Sequence, residues 1–141
     1  MQRDPYREGS NATCLLEAFL AERETVYIVD DDESVRDSAR ALLEAYDLTV
    51  VDYDSAQAFL DGFEMGGRSC LLLDVNMPEM SGLELLEFLR GRQIGIPVII
   101  VTAQKDAEIQ ERARRAGAFA FFEKPVDDSI ISAIGQALKA A

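Results

Sequence analysis

Histidine is absent from the chain, and cysteine and positive charge are scarce. Without imidazole there can be no histidine-ligated zinc, no Ser-His-Asp or Cys-His catalytic pair, and no phosphohistidine carried by this chain. Acid–base or transfer chemistry must therefore depend on carboxylates, lysine, hydroxyl groups or a hard cation. The two cysteines, Cys14 and Cys70, offer no disulfide framework, which is typical of a reduced, cytoplasmic protein.

Acidic residues outnumber basic ones. The chain has 26 aspartates and glutamates and 14 lysines and arginines, which gives a net charge of -12. A nucleic acid would be repelled, and glutamates dilute the basic cluster of Arg112, Arg114 and Arg115. No apolar run approaches the ~20 residues of a membrane-spanning helix, and Glu17 interrupts the segment that most resembles a signal peptide. We therefore expect no nucleic-acid partner, no membrane partner and no export.

The chain has room for one domain with a buried core and hardly for two. From Thr25 onward, short apolar segments alternate with segments of helical periodicity. The predicted strands are 26–29, 48–53, 71–74, 97–101 and 118–122, and a helix follows each of them. This alternation predicts an α/β fold, with a doubly wound parallel sheet, right-handed crossovers and helices on both faces.

Local signals mark where the helices begin, end and bury their side chains. Asp32 and Ser55 can cap the first and second helices, and Ser81 with Glu84 forms a capping-box pattern before the third. Gly117 predicts the end of the fourth helix, and Asp127 or Asp128 can cap the fifth. The first helix is expected to bury Val35, Ala39, Leu42, Leu43 and Tyr46, and the fourth only Ala107, Ile109, Ala113 and Ala116.

Residues 1–24 precede this regular pattern and are assigned to an N-terminal extension, so that the predicted domain spans residues 25–141. From residue 12, the spacing of Leu15, Leu16, Phe19 and Leu20 fits a short amphipathic helix. Three interpretations stay open for this segment: packing on its own domain, binding a partner or a second copy, and disorder.

The third predicted strand, three leucines followed by Asp74, is the centre of the candidate site. Ligands of an open parallel sheet bind at the carboxyl ends of its strands. Asp30 and Asp31 follow the first strand, Thr102 ends the fourth, and Lys124 follows the fifth. If the first and third strands are adjacent, at least three carboxylates crowd together, and such a cluster would either stay partly protonated or bind a cation. With oxygen ligands only, the expected ion is Mg²⁺. With the lysine and the hydroxyl, this set suits in-line phosphoryl transfer onto Asp74.

These motifs together resemble the receiver domain of two-component signalling, which has the CheY-like fold. The resemblance runs from Thr25 to about Leu138, and the segment from Gly117 to Ile134 is similar to the receivers of FixJ-like transcription regulators. It implies a five-stranded, flavodoxin/CheY-like sheet in the order 2-1-3-4-5. The matching motifs are Val29-Asp30-Asp31, Asp74-x-x-Met77-Pro78-x-x-Ser81-Gly82, Val101-Thr102-Ala103 and Lys124-Pro125.

The resemblance also implies a metal site and a phosphoacceptor. Asp74 would accept a phosphoryl group from a histidine kinase or a phosphotransfer protein. Asp31 would bind Mg²⁺ directly and Asp30 mostly through water, while Asp74 and the backbone carbonyl of Asn76 would complete the protein ligands. Lys124 would pair with the phosphate, and its bond to Pro125 is expected to be cis.

A switch is implied as well, in which Thr102 bonds a phosphoryl oxygen and Phe121, the matching aromatic residue, reports the change. The output face would consist of the fourth helix, the fifth strand and the fifth helix. No DNA-binding domain follows in this sequence. Unless the chain is a fragment of a longer regulator, we expect a stand-alone regulator, monomeric or weakly dimeric, whose output is contact with an unidentified protein partner or relay of the phosphoryl group. It would not be an enzyme, although it would assist its own Mg²⁺-dependent phosphorylation and dephosphorylation.

Two other classes of protein use related features. A Mg²⁺-dependent phosphatase of the haloacid dehalogenase type carries a second acid two residues after its nucleophile, where this chain has Asn76. A receiver that works as a constitutive interaction module usually has a damaged acidic pocket, whereas the five pocket residues named above are all present. A phosphate-transfer assay with Mg²⁺ and a small phosphodonor separates the three classes.

Overall fold

The computed structural model of the chain describes residues 24–64, 66–104 and 106–141. Within these residues, five strands alternate with five helices along the chain. The predicted amphipathic helix from residue 12 lies outside the described residues. The strands are β1 (Glu24–Val29), β2 (Thr49–Tyr53), β3 (Arg68–Asp74), β4 (Val98–Thr102) and β5 (Ala120–Glu123). The helices are α1 (Glu33–Ala45), α2 (Ala56–Gly62), α3 (Gly82–Gly91), α4 (Ala107–Arg115) and α5 (Ser129–Ala140).

The strands form one parallel sheet in the order β2-β1-β3-β4-β5. This confirms the predicted fold class and the predicted strand order. In the register, Val29 pairs with Leu73 and Asp74 pairs with Val101. The carboxyl ends of β1, β3 and β4 therefore meet at one edge of the sheet, as the site prediction required.

The core consists of two apolar clusters, one on each face of the sheet. Leu71 and Leu73 of β3 belong to the cluster that α2, α3 and Ala113 of α4 cover. Cys70 and Leu72 belong to the opposite cluster, which α1 and α5 cover. Because successive residues of a strand point to opposite faces, a strand buried on both sides is apolar throughout, as β3 is. Among the described residues, none of the helices combines the length and the apolar character that crossing a bilayer requires.

Most of the predicted caps are present. Asp32 and Ser55 accept hydrogen bonds from the first turns of α1 and α2, and Ser81 with Glu84 forms the capping box of α3. Gly117 follows α4 with a φ of 91°, the left-handed conformation that glycine adopts readily. At α5, Asp128 is the N-cap residue but makes no side-chain cap hydrogen bond.

The prediction that Tyr46 lies on the buried face of α1 was wrong, since this side chain is 46% exposed. The reason is that α1 ends at Ala45, and Tyr46 has already left the helical conformation with φ -100° and ψ 19°. The helical periodicity therefore no longer sets its direction. Leu43, one turn earlier, is completely buried as predicted.

Candidate acidic site at the carboxyl end of the sheet

Three carboxylates meet where β1 and β3 end. Asp30 and Asp31 follow β1, Asp74 is the last residue of β3, and one carboxylate oxygen from each lies within 4.8 Å of the other two. Asp30 and Asp74 are only 3% and 5% exposed, whereas Asp31 is open to solvent. The parallel pairing of two neighbouring strands thus brings together the carboxylates that the sequence predicted to meet.

Lys124 reaches these carboxylates from the end of β5. Its Nζ donates a hydrogen bond to Oδ2 of Asp30 at 2.7 Å and lies 3.2 Å from Oδ1 of Asp74. Its backbone N–H donates to the carbonyl of Thr102 at 2.7 Å, which extends the pairing of β4 and β5 beyond the last residue of β5. The bond from Lys124 to Pro125 is cis, as the resemblance implied.

The charges of the site depend on one another. Burial, followed by the negative charge of Asp30, raises the pKa of Asp74, although Lys124 opposes this shift. Burial alone would lower the pKa of Lys124, but the hydrogen bond to Asp30 and the charge of Asp74 outweigh it and raise that pKa. Lys124 therefore remains an ammonium ion at neutral pH and offsets part of the repulsion between the two buried carboxylates.

The donor set fits a hard divalent cation. All three side chains offer carboxylate oxygens, and the exposed Asp31 keeps the cluster open to water, which Mg²⁺ retains in most protein sites. Both oxygens of Asp30 are already engaged, one by the backbone N–H of Asp32 at 2.9 Å and the other by Lys124. Asp31 is consequently the more available of the two for direct contact with a cation. Asn76, whose carbonyl is the predicted further ligand, is exposed beyond the end of β3.

Thr102 and Phe121 lie at the side of the site formed by β4 and β5. Thr102 is completely buried, and its hydroxyl donates to the carbonyl of Gln104 at 3.2 Å and accepts from the N–H of Gln104 at 3.4 Å. The hydroxyl that was predicted to meet a phosphoryl oxygen thus bonds its own loop in this structure. Phe121 is half-buried against the cluster under α3 and α4, and it pairs with Ile100 in the sheet.

Arg36 supports the site, although the sequence did not single it out. Its Nη1 donates to the backbone carbonyl of Asp30 at 2.7 Å, and its Nε lies 3.4 Å from Oδ2 of Asp52. The arginine therefore links the first turns of α1 to the loop that carries the acidic pair and to β2. In the sequence it is one of several charged residues of an amphipathic helix, and nothing distinguishes it from a solvent-facing one.

Gly82, the first residue of α3, approaches the backbone of Asp74. A Cβ at this position would lie 2.0 Å from the carbonyl oxygen of Asp74, and the N–H of Gly82 donates to the carbonyl of Val75 at 3.0 Å. Only a residue without a side chain allows α3 to begin so close to the end of β3. The glycine was visible in the sequence as part of a turn, but this close approach was not.

A parallel five-stranded α/β sheet with an acidic cluster and a lysine at its carboxyl edge has the architecture of a CheY-like receiver. The family model "Response regulator receiver domain" matches residues 26–135, and the chain belongs to this family. It is therefore a receiver domain of a two-component response regulator, a class of signalling domain. Receivers bind Mg²⁺ at an acidic site, and the cluster of Asp30, Asp31 and Asp74 is such a site by composition.

Known relatives agree with this assignment. "Transcriptional regulatory protein FixJ" of Azorhizobium caulinodans is 44% identical over 108 residues, which cover 77% of this chain and 51% of that protein. "Transcriptional regulatory protein TdiR" of Thauera aromatica is 39% identical over 115 residues, 81% of this chain and 51% of that protein. The chain thus spans about half the length of these relatives.

Solved structures show the same fold. The crystal structure of FixJ-N has a TM-score of 0.78 at 40% identity, covering 85% of this chain and 97% of that one. The CheY-like receiver domain protein from Methanospirillum hungatei has a TM-score of 0.73 at 29% identity, covering 85% of this chain and 100% of that one. These similarities confirm the expected FixJ-like branch and the CheY-like fold.

Proposed function

We propose that Asp74 is the phosphoacceptor of this receiver and that Lys124 and Thr102 act on the phosphoryl group. The observation that carries the proposal is the position of the Lys124 ammonium, 3.2 Å from Oδ1 of Asp74 and 2.7 Å from Oδ2 of Asp30. A fixed cation beside a buried carboxylate stabilises the negative charge that a phosphoryl group would add to that carboxylate. None of these 141 residues is a histidine, so the phosphohistidine that would donate the phosphoryl group lies outside them.

In the proposed reaction, a carboxylate oxygen of Asp74 attacks the phosphorus atom of the donor. A new O–P bond forms, the bond from phosphorus to the donor group breaks, and its electron pair leaves with that group. The product is an acyl phosphate on Asp74, with its added negative charge beside Lys124. Bound Mg²⁺ supplies charge neutralisation to the phosphoryl oxygens. Asp31, Asp74 and the carbonyl of Asn76 would hold it, with Asp30 acting mostly through water.

The phosphoacceptor is tested by Asp74→Asn in the presence of Mg²⁺ and a small acyl-phosphate donor. We expect the variant to fold but to gain no phosphoryl group in intact-mass spectrometry, because the nucleophile is gone while the shape is kept. Asp54→Asn is the matched control, since Asp54 is an exposed aspartate at the same end of the sheet and should leave labelling unchanged. Base-labile phosphate persisting on Asp74→Asn at the normal rate would overturn the assignment.

The metal site is tested by Asp31→Ala, with Asp37→Ala on the exposed face of α1 as control. Removing the most accessible carboxylate of the cluster should weaken Mg²⁺ binding, measured by NMR titration, and should slow phosphorylation. The control should change neither. An unchanged affinity in Asp31→Ala would place the metal elsewhere.

For the output, we propose that phosphorylation changes the face made by α4, β5 and α5. The phosphoryl group would draw the Thr102 hydroxyl away from Gln104, and Phe121, now half-buried, would turn into the vacated space. Because Phe121 is already half-buried, it would gain only about half of the ~1.5–3 kcal/mol that complete burial of an aromatic ring is worth, which shifts a two-state population without inverting it fully. Amide exchange with and without a phosphoryl mimic tests this route. The proposal fails if the largest changes beyond the pocket fall on α1 or on residues 12–24.

We further propose that the domain itself, residues 25–141 with the extension 1–24, acts through protein contacts and binds no nucleic acid. The net charge of -12 supports this, although FixJ and TdiR are transcriptional regulatory proteins over their full lengths. A salt-sensitive shift of duplex DNA by this chain would contradict the proposal.

A further inference from the structure

An apolar groove of about 310 Å³ lies far from the acidic site, at the amino end of the sheet. It is lined by Tyr46 and Leu48, which follow α1, and by Ile131 and Leu138 of α5. Glu24, the first residue of β1, also lines it. Among the described residues, Tyr46 is one of two large apolar side chains that are exposed, which indicates a surface that another segment can cover.

Gly135 has no side chain, so α5 presents only backbone to the groove at this position. A Cβ at this exposed position would have no atom within 4 Å, so the space above the helix is open. Glycine weakens a helix relative to alanine, and nothing in the local backbone of α5 calls for it. Its effect here is to let a second segment approach the backbone of α5 closely.

The chain's own N-terminal extension is attached at this groove, because residue 23 is bonded to Glu24, which lines it. Four apolar residues of this segment, Leu15, Leu16, Phe19 and Leu20, recur with helical spacing. Twelve helical residues measure about 18 Å, the length of α5, which also has 12 residues. Direct attachment to the groove gives the segment a high effective concentration there, which a separate partner would lack.

The charges around the groove agree with this occupant. Arg68 and Lys139 line the groove, and the segment carries Glu17 and Glu22 together with a single arginine at position 23. Glu24 already lies 3.9 Å from Arg68. An acidic amphipathic segment is therefore a better match for this rim than a basic one.

We propose that the apolar side chains of residues 12–23 occupy the groove between Tyr46 and α5, so that the extension packs against α5 over Gly135. The extension would then contact the helix that follows Lys124–Pro125 and contributes to the proposed output face. This inference is independent of phosphorylation at Asp74.

A disulfide trap in the full chain tests the position. In a Cys14→Ser background, Phe19→Cys is combined with Gly135→Cys, and the rate of intrachain crosslinking is measured under mild oxidation by non-reducing electrophoresis. The matched control replaces Gly135→Cys by Gly91→Cys, because Gly91 is also exposed, has open space around its Cβ position and lies on the other face of the sheet. Burial raises the pKa of Cys70 to about 12, so this thiol does not compete.

We expect the intrachain bond to form about tenfold faster, or more, with Gly135→Cys than with Gly91→Cys. Equal rates would overturn the proposal. A crosslink formed mainly between two chains would also overturn it and would assign the groove to a second copy.

A double-mutant cycle gives a second, independent measurement. Leu16→Asp should lower the urea midpoint of the full chain, and this loss should disappear in a Gly135→Arg background, where the groove is already filled. Strictly additive effects of the two substitutions would contradict direct packing. Because Gly135 is exposed in open space, the Gly135→Arg chain should keep its fold.

Discussion

Helices α3 and α4 contact each other on the same face of the sheet but are held by different forces. Of the residues that the structure describes in α4, only Ala113 is buried. The other links of α4 to its surroundings include the half-buried Ile109 and an exposed ion pair, in which Arg112 lies 2.7 Å from Glu87 of α3. Exposed ion pairs add little to stability. In α3, by contrast, five residues are buried, namely Gly82, Leu83, Leu85, Leu86 and Leu89.

The difference matters because each helix borders one part of the site. The first residue of α3 touches the backbone of Asp74, so a firmly held helix fixes the carboxylate that must be in place before any reaction. The first residue of α4 comes after the loop in which Gln104 bonds Thr102, so a loosely held helix follows the residue that is proposed to move. The proposed acceptor, beside a firmly held helix, and the proposed switch residue, beside a loosely held one, thus lie at the same end of the sheet.

The sharpest test of this contrast is Leu86→Ala in α3 against Ile109→Ala in α4. Leu86 is completely buried, so its truncation should lower the free energy of unfolding by about 2–5 kcal/mol. Ile109 is half-buried, and its truncation should cost only about 1 kcal/mol. Urea unfolding measures both values. Similar losses in the two variants would mean that α4 is as firmly held as α3.

The next largest effect is expected for Gly82→Ala. Its Cβ would collide with the carbonyl of Asp74, so α3 or the end of β3 must shift, at a cost of about 1–3 kcal/mol. Because the displaced residue is the proposed acceptor, phosphorylation should slow as well. Gly91→Ala is the control at the other end of the same helix, where a Cβ meets nothing within 4 Å and stability should be kept or slightly raised. A fully active Gly82→Ala would show that the approach to Asp74 is unimportant.

A smaller and more local effect is expected for Glu87→Gln, which removes the ionic partner of Arg112. Amide exchange in α4 should become faster while exchange in α3 stays the same, because α3 is held by its buried leucines. Raising the salt concentration should reduce the difference between wild type and variant. If both helices exchanged faster, the ion pair would be stabilising the whole face and not α4 alone.

The smallest effect is the pH dependence of the same contact. The hydrogen bond from Arg112 holds the pKa of Glu87 below its ordinary value of 4.5. The contribution of this pair is therefore complete above pH 4.5 and is lost as the pH falls through the lower, folded-state pKa. At low pH, the amide exchange rate of α4 in the wild type should therefore approach the rate in Glu87→Gln measured at the same pH. A difference that persists at the lowest pH would assign the effect to packing.

Much of the fold could be predicted because strand runs, helical periodicity and cap residues all indicate the same elements. The second and fifth strands were predicted to start one or two residues too early, because the chain there is still hydrogen-bonded to the end of the preceding helix. Leu48, predicted to start a strand, still bonds Leu43 of α1 through its N–H. Ala118 likewise donates to the carbonyl of Ala113, so β5 begins at Ala120 and not at residue 118.

The carboxylates and the lysine of the candidate site could be predicted because parallel strands place their ends together. Their detailed partners could not, because these depend on side-chain conformation and on distant elements. No periodicity shows that Arg36 bonds the carbonyl of Asp30, or that the hydroxyl of Thr102 is already bonded by Gln104. The ion pair of Lys124 and Asp30 joins residues 94 positions apart, and only the assembled sheet brings them into contact.

The hydrogen bonds between Thr102 and Gln104 have an energetic consequence for signalling. In the proposed phosphorylated state the bond that the hydroxyl donates moves from a neutral acceptor, the carbonyl of Gln104, to a charged phosphoryl oxygen, and this exchange concerns only the donated bond. Charge-assisted bonds contribute about 1.5–3 kcal/mol and neutral ones about 0.5–1.5 kcal/mol, so the exchange favours the new state by about 1 kcal/mol, roughly a fivefold change in population. With this exchange alone, both arrangements would coexist with and without phosphate. An output partner that binds only one of the two arrangements would complete the shift. Phosphorylation would then raise the affinity for this partner and would not by itself convert the whole population.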